Sequence, residues 1–337
     1  MFKDSVRRLL YSSGALSLYH RLRNAHSLTV VMFHRTLTED DPRWATCDPD
    51  YTLRRDLFGH SLAFFRRHYN VVGLQDVLDA RRGARALPPR ALLVTFDDGW
   101  ADNADHALPE LQRAQVPALM FVVADAVGRR QPFWQEQLVA GWRRGALRVD
   151  ALRAALGGDA QASDDGLPAL REAIGRLEAL PHDVRERVLA PFAAAMDDGM
   201  RHMVEAHELQ RLRAGGVALG LHGKSHVHMT RAGDLDAELG GARESLAASL
   251  GDGDARAESM SYPHGAFDAG IARRAREAGY ALQFTSVSVL NPTRGGVGWL
   301  LGRTGYEFDT VLDTRTGGFR ADRLAWYLFR APVRALA

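Results

Sequence analysis

The chain has 337 residues, 46% hydrophobic and 25% charged, with 43 Lys and Arg against 41 Asp and Glu for a formal net charge of +2. These balances describe an ordinary folded protein, exclude a disordered or fibrous one, and give nucleic acid binding no support. One cysteine, Cys47, excludes an intrachain disulfide. No stretch approaches the roughly 20 apolar residues that span a bilayer. Residues 1–22 lack the apolar core and small-residue cleavage site of a signal peptide, so a cytoplasmic location is the expectation.

Residues 1–27 read as a basic amphipathic helical segment, with Val6, Leu9, Leu10, Leu16 and Leu18 among Lys3, Arg7, Arg8, Arg21 and Arg23. From 28 to 310, short apolar or β-branched runs alternate with helical-period segments, the pattern of a parallel sheet or barrel with outer helices. The expected strands are 28–33, 70–72, 91–96, 118–123, 217–221, 259–262, 281–285 and 298–303. Helices are expected between them, at 53–67, 104–114, 234–250 and 269–278. The rhythm breaks at 132–214, where Ala, Leu and Arg at helical spacing predict a helical insertion between two barrel units. Residues 311–337 read as a second basic amphipathic helix, with Leu324, Trp326, Tyr327, Leu328 and Phe329 among Arg320, Arg323, Arg330 and Arg334. Each terminal segment either packs on the domain with a solvated basic face or lies on an anionic membrane surface, at the inner face of the cytoplasmic membrane for a cytoplasmic chain.

The run Leu92-Leu93-Val94-Thr95-Phe96-Asp97-Asp98-Gly99-Trp100 places two adjacent carboxylates at the C-terminal end of a buried strand, where a β/α barrel opens its active site. Like charges so close resist joint ionisation unless a cation neutralises them. Alone, the run would more often be a turn capping the next helix. A second strand, Val217–Leu221, leads directly into His222-Gly223-Lys224-Ser225-His226-Val227-His228. Two imidazoles four residues apart, joined by the Asp98 carboxylate, make a two-His, one-carboxylate metal site with open positions. Zinc leads; cobalt, nickel or iron would also suit these donors. His228 stands nearby as a residue that supports the ligands, faces substrate or is merely solvated. Two further strand ends deliver His34, whose ordinary pKa suits a general acid, and Tyr262-Pro263-His264-Gly265, whose turn could aim a backbone N–H at an oxyanion. Trp44, Trp100, Trp134 and Trp299 are candidate stacking faces for a ligand, aromatics otherwise being core residues.

On these residues the sequence resembles the polysaccharide deacetylases, the NodB-like carbohydrate esterase family 4. Thr95-Phe96-Asp97-Asp98-Gly99 is similar to the family's first motif, His222–His226 to its second, and Tyr262-Pro263-His264-Gly265 to a relaxed third. The resemblance spans about 28–303 and implies an α/β fold, a distorted (β/α) barrel of seven or eight parallel strands carrying the helical insertion. It implies Asp97 as base and Asp98, His222 and His226 as metal ligands; Tyr262, Pro263, Trp100 and His228 are the expected substrate-binding residues. The chain departs from the family where Ser261 and Tyr262 precede Pro263, where Val227 follows the second histidine, and where Leu301-Gly302-Arg303 replaces a late Leu-x-His motif. Met32-Phe33-His34-Arg35 is similar to the strand opening of bacterial poly-N-acetylglucosamine deacetylases, which place the active-site histidine early. By that resemblance His34 is the acid and Arg303 orients Asp97. The implied activity is metal-dependent hydrolysis of the acetamide of an N-acetylated sugar, on a polysaccharide, oligosaccharide or lipid-linked glycan. The altered third motif and the missing late histidine leave open a catalytically impaired glycan-binding or assembly protein, and a further alternative is a hydrolase of a non-sugar amide.

Overall fold

The computed structural model describes residues 2–157, 165–251, 257–306 and 308–337. They divide into two compact units, one built from 1–37, 50–128 and 203–337, the other from 38–49 and 129–202.

The first unit is a distorted parallel barrel. Its strands, in chain order, are β1 Ser27–Phe33, β2 Arg35–Leu37, β3 Thr52–Arg54, β4 Asn70–Val71, β5 Ala91–Phe96, β6 Ala118–Val122, β7 Val217–Leu221, β8 Ser259–Ser261, β9 Leu282–Phe284, β10 Asn291–Pro292, β11 Leu300–Leu301 and β12 Thr304–Gly305. The wall runs β1-β5-β6-β7-β8-β9-β11, every pair parallel. Closure comes from one short piece of chain. Leu301 registers with Phe284 on β9, and three residues later Thr304 registers with Val31 on β1. The segment 300–305 therefore joins the two edges of the sheet, with Gly302 and Arg303 at the seam. Among the strands of the described residues only β10 runs antiparallel, against the start of β1, while β2 and β3 form a separate parallel pair.

Strand alternation sorts the side chains into two cores. Leu28, Val30, Leu93, Leu119, Phe121, Leu282, Phe284 and Leu301 cluster inside the wall, and Val77 and Leu78 of helix Leu74–Arg81 join them. Val31, Leu92, Val94, Met120 and Val122 face outward and pack with the helices, including Leu57 and Leu62 of Arg55–His68 and Leu324 and Leu328 of Ala321–Phe329. Gly220 makes room for the inner layer. A Cβ there would stand 2.7 Å from the Phe121 ring and 2.7 Å from Ser259 Oγ.

Two helices depart from their expected regularity. The helix expected at 104–114 begins as a π-turn over Asn103–Ala107 and becomes α-helical at Leu108. Pro109 explains this, because its ring cannot sit against the carbonyl four residues back and it donates no N–H. The pattern at 234–250 likewise opens as a π-turn over Ala237–Gly241, which ends in a Gly-Gly pair, before Ala242–Leu250.

The second unit has its own core, in which Leu138, Val139, Val149, Leu152, Leu170, Ile174 and Leu177 pack together. It also includes 38–49, a segment distant in sequence. Arg171 reaches Asp48 at 2.5 Å, and Arg143 donates to the carbonyls of Trp44 and Cys47. Helix Ala206–Ala214, within the stretch expected as insertion, packs on β7 and belongs to the barrel unit.

Candidate active site

Because the wall is parallel, its strands all end at the same mouth. β1 delivers His34, β5 delivers Asp97 and Asp98, β7 delivers His222, β8 delivers Tyr262 and Pro263, and the seam delivers Arg303. Asp97 shares the inward parity of Leu93 and Thr95, so its carboxylate points into the top of the barrel. There Arg303 meets it bidentately, Nη1 to Oδ1 at 2.6 Å and Nη2 to Oδ2 at 2.8 Å. The guanidinium is itself fixed, with Nε donating to the Thr285 carbonyl at 3.1 Å and the group lying over the Phe121 ring. Both partners are buried. Burial by itself would raise the Asp97 pKa, but the Arg303 charge, followed by His222, the Arg303 hydrogen bonds and His34, holds it below the ordinary carboxylate value.

Asp98, one residue on, turns away because its backbone is left-handed, φ +78°. Its Oδ2 accepts from Trp100 Nε1 at 3.0 Å, which leaves Oδ1 facing His226 Nε2 at 3.3 Å and His222 Nε2 at 3.5 Å. One donor atom from each of Asp98, His222 and His226 lies within 4.8 Å of the others. The donor set suits a divalent cation, and the surroundings present it in ligating form. His222 Nδ1 lies 2.6 Å from Ser261 Oγ and 3.1 Å from the Ser261 carbonyl; a carbonyl only accepts, so Nδ1 carries the proton and Nε2 keeps its lone pair. Burial, only partly opposed by Asp97 and Asp98, pulls the His222 pKa down to about 4, so its ring is neutral at pH 7. Burial pushes Asp98 upward, yet the His226 hydrogen bond and the neighbouring histidines keep it well below the usual range and ionised.

Sequence reading missed the residues that hold this arrangement. Ser261 Oγ bridges the two halves of the site, 2.6 Å from His222 and 3.3 Å from Asp97 Oδ1. Glu238 clasps the histidine loop by accepting from the backbone N–H groups of Lys224 and Ser225 and from Ser225 Oγ. Arg35 lies over the Trp100 ring at 4.4 Å and pairs with buried Asp102 at 2.8 Å. Trp100 is thus enclosed and presents no face for stacking a sugar; what it supplies is the hydrogen bond to Asp98. None of these roles has a sequence signal beyond an ordinary polar residue within twenty positions of a motif.

The remaining candidates lie around the rim. His34 meets Tyr51 edge-on at 4.9 Å, and its carbonyl accepts from Asn103 Nδ2 at 3.0 Å. His264 has φ +56°, donates Nε2–H to the His226 carbonyl at 3.2 Å, and stacks on His228 at 4.1 Å. Tyr262 is buried, its hydroxyl on Gln283 and its ring stacked on Phe267, while Pro263 is also buried and leads the turn. Among the described residues five non-glycines have positive φ, and Asp98, His226 and His264 are three of them. Such backbone costs about 1–3 kcal/mol per residue and gathers where side chains must be aimed. Beside His34 a cavity of about 360 Å³ opens between Tyr51, Ser286, Ser288, Tyr306 and Tyr327.

Comparison with known proteins adds three findings. A family model described as polysaccharide deacetylase matches residues 84–152. The poly-beta-1,6-N-acetyl-D-glucosamine N-deacetylase of Escherichia coli K12 is 32% identical over 69 residues, which are 20% of this chain and 10% of that protein, so the match spans a tenth of the curated relative. Among solved structures, IcaB from Ammonifex degensii superposes with TM-score 0.57 at 19% identity, over 90% of this chain and 97% of that one. The Streptococcus pyogenes deacetylase PplD gives 0.56 at 13%, over 90% and 98%. At such identities the structural likeness is one of fold. The chain thus resembles the polysaccharide deacetylases in sequence across 84–152, the segment that carries Asp97 and Asp98, and in its barrel fold.

Proposed function

We propose that this chain is a metal-dependent N-deacetylase that hydrolyses the acetamide of an N-acetylated sugar. The observation that carries the reading is a fixed, ionised carboxylate, Asp97 under Arg303, next to three convergent metal-type donors at the open end of a barrel. Asp98, His222 and His226 would hold the ion; zinc suits them best, and cobalt, nickel or iron also suit. When bound, such an ion supplies Lewis acidity toward an amide carbonyl and toward water.

The chain's own residues account for the proton movements. Asp97 is ionised and immobile, so it can take a proton from the attacking water without first reorganising. His34, across the mouth, hands a proton to the departing amine. The left-handed turn at His264 supports its role as donor of a backbone N–H to the developing oxyanion. The cavity beside His34 falls within the size of small-molecule sites and would take the rest of the sugar. The sugar assignment rests on the relatives named above. An acetate-release screen over N-acetylhexosamine compounds, with chelator and metal add-back, tests the reading. Acetate that appears with metal and stops with chelator supports it; no acetate from any acetamido sugar at any metal load defeats it.

A further inference from the structure

Eight large hydrophobic side chains among the described residues are exposed, and seven of them lie in the terminal segments. Val6 and Leu9 stand on helix Phe2–Ser12, Leu18, Tyr19 and Leu22 on helix Ala15–Arg23, and Tyr327 and Val333 near the C-terminus. Leu9 and Leu22 are the extremes, 66% and 74% exposed. These are not loose ends. Helices 2–12, 15–23 and 321–329 contact one another, and their inner faces are engaged. Leu10 and Tyr11 pack against the barrel core, as does buried Leu16. His20 stacks on Phe329 at 4.0 Å, and Arg23 and Asn24 donate to the Phe329 carbonyl. Helix 15–23 is therefore apolar on both sides, and helix 2–12 turns part of its single apolar stripe, Val6 and Leu9, to solvent. A surface helix of a soluble domain carries one apolar stripe; a second stripe calls for a second apolar environment.

Charge identifies that environment. Asp4 is the only acid in residues 2–23, and it pairs with Arg7. Asp322, the only acid in 321–337, is taken up by Arg320 and Arg7. Arg8, which also reaches Asp313 at 3.3 Å, and Arg21, Arg23, Arg330 and Arg334 are exposed around the apolar side chains. Among the described residues no helix is long and apolar enough to cross a membrane. We infer that the outer face of helices 2–12 and 15–23 seats on an anionic lipid surface, with Leu9, Leu18 and Leu22 entering the acyl boundary and the arginines meeting phosphate headgroups. Amphipathic helices with arginine beside leucine and aromatic residues bind in this way, and their affinity combines buried apolar area with electrostatic attraction. The inference stands on the terminal helices alone and does not depend on the chemistry proposed for the barrel.

Cosedimentation of the full chain with vesicles tests it, using phosphatidylcholine alone and phosphatidylcholine mixed with phosphatidylglycerol. Partitioning onto the anionic vesicles should exceed that onto neutral ones by about tenfold and should fall as salt is raised. The double variant Leu9→Ser/Leu22→Ser should lose about tenfold or more of the binding with an unchanged melting temperature, because both side chains are exposed. The double variant Arg8→Gln/Arg21→Gln should lose only the anionic preference. Equal or absent binding to both vesicle types overturns the proposal. So does a stable dimer in solution that the leucine substitutions dissociate, since the face would then belong to a second copy of the chain.

Discussion

The two halves of the candidate site are built on opposite principles. On one side Asp97 is a straight continuation of β5, enclosed and clamped by two short hydrogen bonds from Arg303. On the other, His226 and His264 sit on left-handed backbone in loops tied by Glu238 and by the stacking of His264 on His228. The side proposed to handle protons is fixed by a buried ion pair, while the side proposed to hold an ion depends on loop conformation and hydrogen-bonded support. Ser261, touching both Asp97 and His222, is where they meet.

Substitutions should separate the two. Asp97→Asn removes the proposed base and leaves the proposed donors, so turnover should fall by about a thousandfold while stoichiometric metal, read by elemental analysis, is retained. Retained activity would show that the clamped carboxylate is merely structural. Arg303→Met strands Asp97 in a buried setting and should cost about 3–5 kcal/mol of unfolding free energy in a denaturant titration. The double variant with Asp97→Asn should recover part of that loss, and a cost equal to the sum of the singles would refute the clamp. Ser261→Ala frees the His222 ring and should weaken metal affinity about 10–100-fold by competition with a chelator. An unchanged affinity would remove Ser261 as the link between the halves.

The smallest effect concerns acid. In the metal-free protein His222 is held neutral down to a pKa of about 4, against 6.5 in the unfolded chain. The unfolded state therefore binds more protons between these values, and stability falls as pH drops from about 6.5 to about 4. Melting temperatures of the metal-free chain should show that slope, and His222→Asn should flatten it. A slope that survives the substitution would assign it elsewhere.

The sequence made much of the fixed side legible and less of the other. A continuous apolar run ending in two carboxylates has few readings, and the strands at 91–96 and 217–221 form over those residues. Arg303 could be suspected only through a resemblance, because nothing in Leu301-Gly302-Arg303 says which distant carboxylate it will meet. Glu238 and Ser261 carried no signal, since the distance that matters for each is set by the wall, not by the chain. Trp100 was misleading for a physical reason: tryptophan serves equally as a stacking face and as a buried donor, and the Arg35–Asp102 pair that encloses it is assembled across 67 positions.

The seam of the barrel ties these observations to folding. Arg303 reaches Asp97 across 206 positions, and it does so from the one segment that joins both sheet edges. Contacts between such remote parts of a chain form late and slowly. A partly assembled intermediate, with its last strand still undocked, would hold an unpaired buried acid and no competent base. Recovery of activity during refolding should therefore lag behind the return of helical signal, making catalysis itself a reporter of the final step of assembly.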